Sequence, residues 1–289
     1  MNLKCRNRVR PIFFGSCSFA LRVAIVLSVC GAAVASDKKN VESLTLDFRT
    51  SQFDNDNLRL FGSGTSQFVK PTKEGLAISA PKDKQVKELG FGPKFTLRGD
   101  FEITASFEIM KLDDPDAGYG VGPSLYIATN SPAEDAATVA RLKRIKEGDV
   151  FSTHSATSIP QSEGKPKREH SVKMFDTTAK AGRLRLVRKG KTLRYLVSEA
   201  GPEAEFRELK QLEFTDADVT LVRVSLNRNG AGTPAEMRWL DFAVTAKTLV
   251  GRSQPPAAVD SPVWPWVAVA TGLVLLVAVV WLWRKSKTR

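Results

Sequence analysis

Cysteine is nearly missing from this chain: the 289 residues hold three, Cys5, Cys17 and Cys30, all within the first thirty. Everything beyond Cys30 therefore lacks a disulfide, a thiol nucleophile and a thiolate metal ligand. Histidine is as scarce, with only His154 and His170. A histidine-based triad or zinc site has little to draw on, and both residues read as strand or surface histidines. Tyrosine occurs three times, at Tyr119, Tyr126 and Tyr195. No repeat of fixed period is visible, which sets aside solenoids and propellers.

The formal charge of +12 suggests a nucleic-acid partner until it is apportioned. Residues 1–22 carry Lys4, Arg6, Arg8, Arg10 and Arg22 without an acid, and residues 284–289 carry Arg284, Lys285, Lys287 and Arg289. What remains is 34 Lys and Arg against 31 Asp and Glu, a net of about +3, too little for the electrostatic footprint that nucleic-acid binding needs.

The two ends read as targeting segments. The basic start is followed by the uncharged run 23–34 and by Ala33-Val34-Ala35, the pattern of a secretory signal cleaved after Ala35. A lipoprotein signal at Leu27-Ser28-Val29-Cys30 is the weaker alternative, because Val29 stands where the peptidase prefers a small residue. Residues 263–283 carry no charge, and at ~1.5 Å per residue they reach about 31 Å, the thickness of a hydrocarbon core. Trp264 and Trp266 at one end and Trp281 and Trp283 at the other suit the two headgroup layers, and the basic tail belongs in the cytoplasm. The expected order is a signal peptide (1–35), an extracytoplasmic domain (36–250), a Pro-rich stalk (251–262), a transmembrane helix (263–283) and a cytoplasmic tail (284–289). That places a single-pass protein in the cell membrane. Stalk, helix and tail also fit a sorting signal processed after export.

Between the ends, short runs alternate apolar and polar residues: Leu44, Leu46 and Phe48; Leu125 and Ile127; Leu184 and Leu186; Leu193, Tyr195 and Val197; Val222, Val224 and Leu226; Leu240, Phe242 and Val244. Gly-containing breaks at 188–191 (RKGK) and 227–232 (NRNGAG) are expected to join neighbouring runs as hairpins. The pattern predicts an all-β sandwich. One stretch is ambiguous. Ser131-Pro132-Ala133-Glu134 has the form of a capping box with proline at the first helical position, while 138–155 also reads as a hairpin; the favoured expectation is a helical turn feeding that hairpin.

The motifs are weak for catalysis. Glu102 and Glu108 share a strand face, but six residues at ~3.3 Å put them about 20 Å apart, whereas glycosidase carboxyl pairs lie ~5 to 9.5 Å apart. The acidic run 113–116 (DDPD) reads as a turn before it reads as a calcium site. Gly118, Gly120 and Gly122 signal a bend and not a phosphate cradle. No catalytic residue, metal ligand or cofactor is assigned. For ligand binding, Arg183 and Arg185 share a strand face and, with Arg194 on the same hairpin, could meet sulfate or carboxylate groups of an anionic glycan. Tyr119, Tyr126, Tyr195 and Trp239 are candidates for stacking on sugar rings.

The segments GDFEITASFEI, GYGVGPSLYI, GRLRLVRKGKTLRYLVSEAGPEAEFRELKQLEF and VTLVRVSL together resemble the concanavalin A-like lectin/glucanase sandwich. The arrangement is similar to a domain-of-unknown-function family of exported planctomycete-type bacterial proteins, over about Leu44 to Val244. The resemblance implies a concanavalin A-like antiparallel jelly roll whose sugars bind on or beside the concave sheet. The glucanases of that fold carry carboxylates two and four residues apart on one strand face, where this chain offers Glu102, Thr104 and Ser106. Their acid/base pair is not carried over. The expected protein is a membrane-anchored binding module for a glycan or an envelope protein, with polysaccharide hydrolysis or passive adhesion as alternatives.

Overall fold

Alternation places one apolar row of each strand inward, and the chain resolves that demand by stacking two antiparallel layers. The structure, a computed structural model, describes residues 41–253 apart from 51, 84, 162–164 and 200–203. The expected signal peptide, most of the stalk and the apolar segment 263–283 lie outside the described residues. Among these, no helix is long and apolar enough to cross a membrane.

In chain order the elements are β1 (Glu42–Asp47), β2 (Leu58–Phe61), α1 (Thr65–Phe68), β3 (Val69–Thr72), β4 (Gly75–Ala80), β5 (Glu88–Pro93), β6 (Thr96–Leu112), β7 (Gly122–Thr129) and β8 (Ala136–Arg144). There follow β9 (Gly148–Ile159), β10 (Lys167–Asp176), β11 (Ala181–Lys189), β12 (Thr192–Ser198), β13 (Arg207–Glu213), β14 (Val219–Asn227) and β15 (Ala235–Val250). One layer runs β2-β5-β14-β7-β8-β9-β10, and the other runs β13-β12-β11-β6-β15, with β1 and β4 beside β15 and β3 beside β4. A single pair, Val219 with Leu97, ties β14 to β6 and so joins the layers.

The core lies between them. Leu125 and Ile127 of β7, Val222, Val224 and Leu226 of β14, Leu184 and Leu186 of β11, and Leu193 and Val197 of β12 belong to one buried cluster. An aromatic group locks the layers together: Phe91 of β5 meets Trp239 and Phe242 of β15 edge-on, with ring centroids 6.4 and 5.5 Å apart. Edge-to-face pairs of this kind add about 0.5–1.5 kcal/mol each to the area they bury.

Three sequence expectations are corrected. Residues 131–135 form a turn and not a helical one: Glu134 is left-handed (φ 51°), the Ser131 carbonyl accepts from Glu134 N–H, and Ser131 Oγ accepts from Asp135 N–H. The chain then enters the β8–β9 hairpin. The 188–191 break does join a hairpin, β11 to β12. The 227–232 break does not, since β14 pairs with β5, β6 and β7 while β15 pairs with β1, β4 and β6. It carries the chain from one layer to the other. Its turn chemistry is that of a hairpin, but β15 pairs along most of its length with β6 of the other layer. In β15 the inward row runs Trp239, Phe242, Val244, because a bulge between Trp239 and Asp241 slips the register at Leu240.

Candidate functional site

Residues turned away from the core on β7 to β10 and β14 line a cleft of about 370 Å³. Its floor follows from strand parity. The register stacks Arg223, Tyr126, Thr138, His154 and Val172 in one row, and Ser225, Ser124, Ala140, Ser152 and Met174 in the next. The floor thus offers hydroxyls beside small and apolar side chains, a mixture that suits a polyhydroxylated ligand.

Tyr119 forms one wall. It stands on the loop 113–121, exposed, with the Arg144 guanidinium 4.1 Å from its ring centroid and its hydroxyl 3.5 Å from Ser152 Oγ. The loop is anchored by Asn229, whose side-chain amide donates to Gly120 O at 2.7 Å. Gly118 makes that approach feasible: it is left-handed (φ 77°), and a Cβ there would lie 2.2 Å from Asn229 O.

The two histidines meet on this face. His154 Nε2 and His170 Nδ1 are 2.9 Å apart, with rings nearly parallel at 18° and centroids 5.1 Å apart. One nitrogen donates and the other accepts, so the bond exists only while at least one ring is neutral. Burial, reinforced by the positive charges of His170, Arg168 and Lys210, holds the His154 imidazole below its ordinary range. Beyond the floor, Ser225 Oγ donates to Glu88 Oε1 at 2.7 Å, Arg223 Nη1 reaches Glu88 Oε2 at 3.1 Å, and Ser124 Oγ lies 3.0 Å from Ser225 Oγ. Burial pushes the Tyr126 hydroxyl upward against the pull of Arg168 and Arg223.

The six residues assigned from the sequence do not form one site. Tyr119 lines the cleft, and Tyr126, half-buried, occupies its floor row. Tyr195 is corrected: it is fully buried, its hydroxyl donates to His154 O at 3.1 Å, and burial raises it above the usual phenol range. Trp239 is likewise fully buried in the aromatic core. Neither ring is open to a sugar.

Arg183, Arg185 and Arg194 lie on the outer face of the opposite layer. There the Arg183 and Arg185 guanidinium groups lie 4.2 and 3.6 Å from the Phe206 ring centroid. Arg185 also donates to Thr104 Oγ1 at 2.8 Å and pairs with Glu102 at 2.9 Å; Arg194 pairs with Glu208 at 2.6 Å. Arg188, from the same basic stretch, points inward and is buried against the carbonyls of Gly99, Thr215 and Ala217. Glu102 and Glu108 are ion-pair partners of different arginines, Arg185 and Arg238.

No carboxylate is among the described residues lining the cleft. A second depression of about 590 Å³, between β9–β10 and β13, includes Asp135, Glu169 and Glu213. Glu169 pairs with Lys167 and Asp135 accepts from Ser131, while Lys210 Nζ crosses to Ser171 Oγ at 3.0 Å. Among the described residues no group of three or more His, Cys, Asp and Glu is placed to hold a metal ion.

A family model described as "Protein of unknown function (DUF1583) C domain" matches residues 31–261. No curated protein matches the chain. Similar solved structures include the legume lectin-like domain from Entamoeba histolytica, at 11% identity over 66% of this chain and 90% of that chain, with a TM-score of 0.45. A glycoside hydrolase family protein from Mycobacterium thermorestibile is similar at 11% identity, covering 70% and 99%, with a TM-score of 0.48. A prokaryotic β-1,3-1,4-glucanase (lichenase) derived from a mouse hindgut metagenome is similar at 10% identity, covering 71% and 99%, with a TM-score of 0.45. At these identities and TM-scores neither a ligand nor an activity carries across.

Proposed function

The chain belongs to the DUF1583 C-domain family, and we propose that it is an exported, membrane-tethered module that binds a glycan in the cleft between Tyr119 and the His154–His170 pair. The observation that carries this reading is the composition of the cleft. An exposed aromatic wall faces a floor of Ser, Thr and Asn groups, in a volume that takes one or two sugar rings. Binding is favoured over hydrolysis because the described lining supplies no carboxylate to act as acid, base or nucleophile. Export and tethering rest on the signal-like start and the charge-free run 263–283.

The test is retention of the purified full-length chain, in detergent, on a polysaccharide array. Retention that Y119A abolishes is expected; no retention on any polysaccharide overturns the reading. Cell fractionation tests the location: the mature chain belongs in the membrane fraction, and an intact chain with its leader in the cytosol would refute tethering.

A further inference from the structure

Basic side chains surround the cleft, and no carboxylate is among its described lining residues. Arg144 lies on the Tyr119 ring, Arg168 and Lys210 act on His154 through space, and Arg223 ends the row that contains it. These side chains stand just outside the described lining, and so do the carboxylates paired with three of them: Glu147 beside Arg144, Glu134 beside Arg168, and Glu88 beside Arg223. Among the lining residues stand the two imidazoles, 2.9 Å apart and sharing one hydrogen bond. From the geometry of the pair and the charge around it, we infer that the ligand is an acidic glycan whose carboxylate or sulfate group is held by the protonated His154–His170 pair, so that binding tightens on acidification.

The physical argument runs through the hydrogen bond. In the neutral pair one N–H is already committed to the neighbouring nitrogen, so the cleft has fewer donors than it has nitrogens. The first added proton makes the pair cationic and raises its uncommitted N–H groups from one to two; a second leaves four donors and no acceptor, and the rings separate unless an anion stands between them. The surrounding groups decide whether a proton enters at all. Burial of His154 opposes it most, and His170 itself, Arg168 of β10 and Lys210 of β13 add to that. Burial pushes the Tyr126 hydroxyl upward, and Glu134 and Glu88 are engaged by Arg168 and Arg223. The free cleft is thus reluctant to protonate, and an incoming anion supplies the missing counter-charge. Binding and proton uptake are then linked, and affinity rises as pH falls. A metal cation is the less suitable occupant, since the same arginines and lysine repel it.

This inference rests on the glycan reading, so the experiment separates the two. The full-length chain is titrated at pH 8 and pH 5 with neutral dextran, polygalacturonate and dextran sulfate. Binding to one or both anionic polymers, about tenfold tighter at pH 5, is expected, tenfold being the worth of one added charge-assisted hydrogen bond. The polymer that binds shows whether carboxylate or sulfate is the source. H170Q, at an exposed position, is expected to lose the tightening, its affinities at pH 8 and pH 5 becoming equal. Binding to neutral dextran with equal affinity at both pH values overturns the inference and leaves the cleft reading intact. Acid-tightened binding that H170Q does not flatten overturns it as well, and no binding at all removes both.

Discussion

Tyr195 of β12 donates its hydroxyl across the sandwich to the main-chain carbonyl of His154 on β9, at 3.1 Å. The bond fixes the floor of the cleft from behind, through the backbone of the residue that shares a proton with His170. Y195F removes this hydrogen bond from a fully buried ring, a loss of about 1 kcal/mol. A lower thermal midpoint with unchanged far-ultraviolet dichroism is the expected result; an unchanged midpoint would mean the bond contributes nothing.

G118A tests the Tyr119 wall without touching the ring. The left-handed backbone costs an alanine about 1–2 kcal/mol, and the new Cβ meets Asn229 O. The loop must shift, and Tyr119 with it. Ligand affinity in the retention assay should drop severalfold while the core melts within a few degrees of the parent.

Arg228 is fully buried in the crossover between the layers, where Nη1 donates to Asp83 O at 2.7 Å and Val86 O at 2.8 Å. R228M keeps the stem and strands both carbonyls, while relieving a buried charge. The balance is an expected loss of about 1–3 kcal/mol. Urea titration should show a lower midpoint at an unchanged slope, the mark of altered stability in the same folded state.

Stability of the free protein should fall on acidification. His154 binds a proton less readily when folded, through burial and neighbouring positive charge. Above the ordinary histidine range both folded and unfolded forms are neutral, and stability is full. As pH drops through that range, protons bind the unfolded chain first and the folded state loses ground, until the pH passes the lowered folded value. The thermal midpoint should decline between pH 7.5 and 5, and less so in H154Q. An acidic ligand should offset the decline.

Much of the fold was legible from parity alone. Leu184 and Leu186, and Leu193, Tyr195 and Val197, are buried where their alternation placed them. The same parity misjudged Leu240, because a bulge slips β15 by one residue, and a bulge leaves no local mark in an apolar run. The cleft was less legible. Tyr119 was singled out, but the histidines were weighed singly, and their meeting depends on register. In the β9–β10 hairpin Val172 pairs with His154 and Ala156 with His170, so both rings fall on one face as diagonal neighbours. Their shared even numbering on an antiparallel hairpin was the available signal; the register that completes it is set by pairing across the loop between them. The arginines failed for a different reason. Their face was read correctly, but the partners that occupy them, Glu102, Thr104, Phe206 and Glu208, come from other strands.

β10 closes its layer and is bonded on one side only, to β9. Half of its peptide groups thus have no neighbouring strand among the described residues to hold them, and the strand can peel away without disturbing Phe91, Trp239 or the rest of the interior. His170 rides on an edge strand, less expensive to open than the centre of the sandwich. Amide exchange should be faster there than in β7 or β14, and repulsion between two charged imidazoles would be relieved by fraying at the rim before it could unfold the whole.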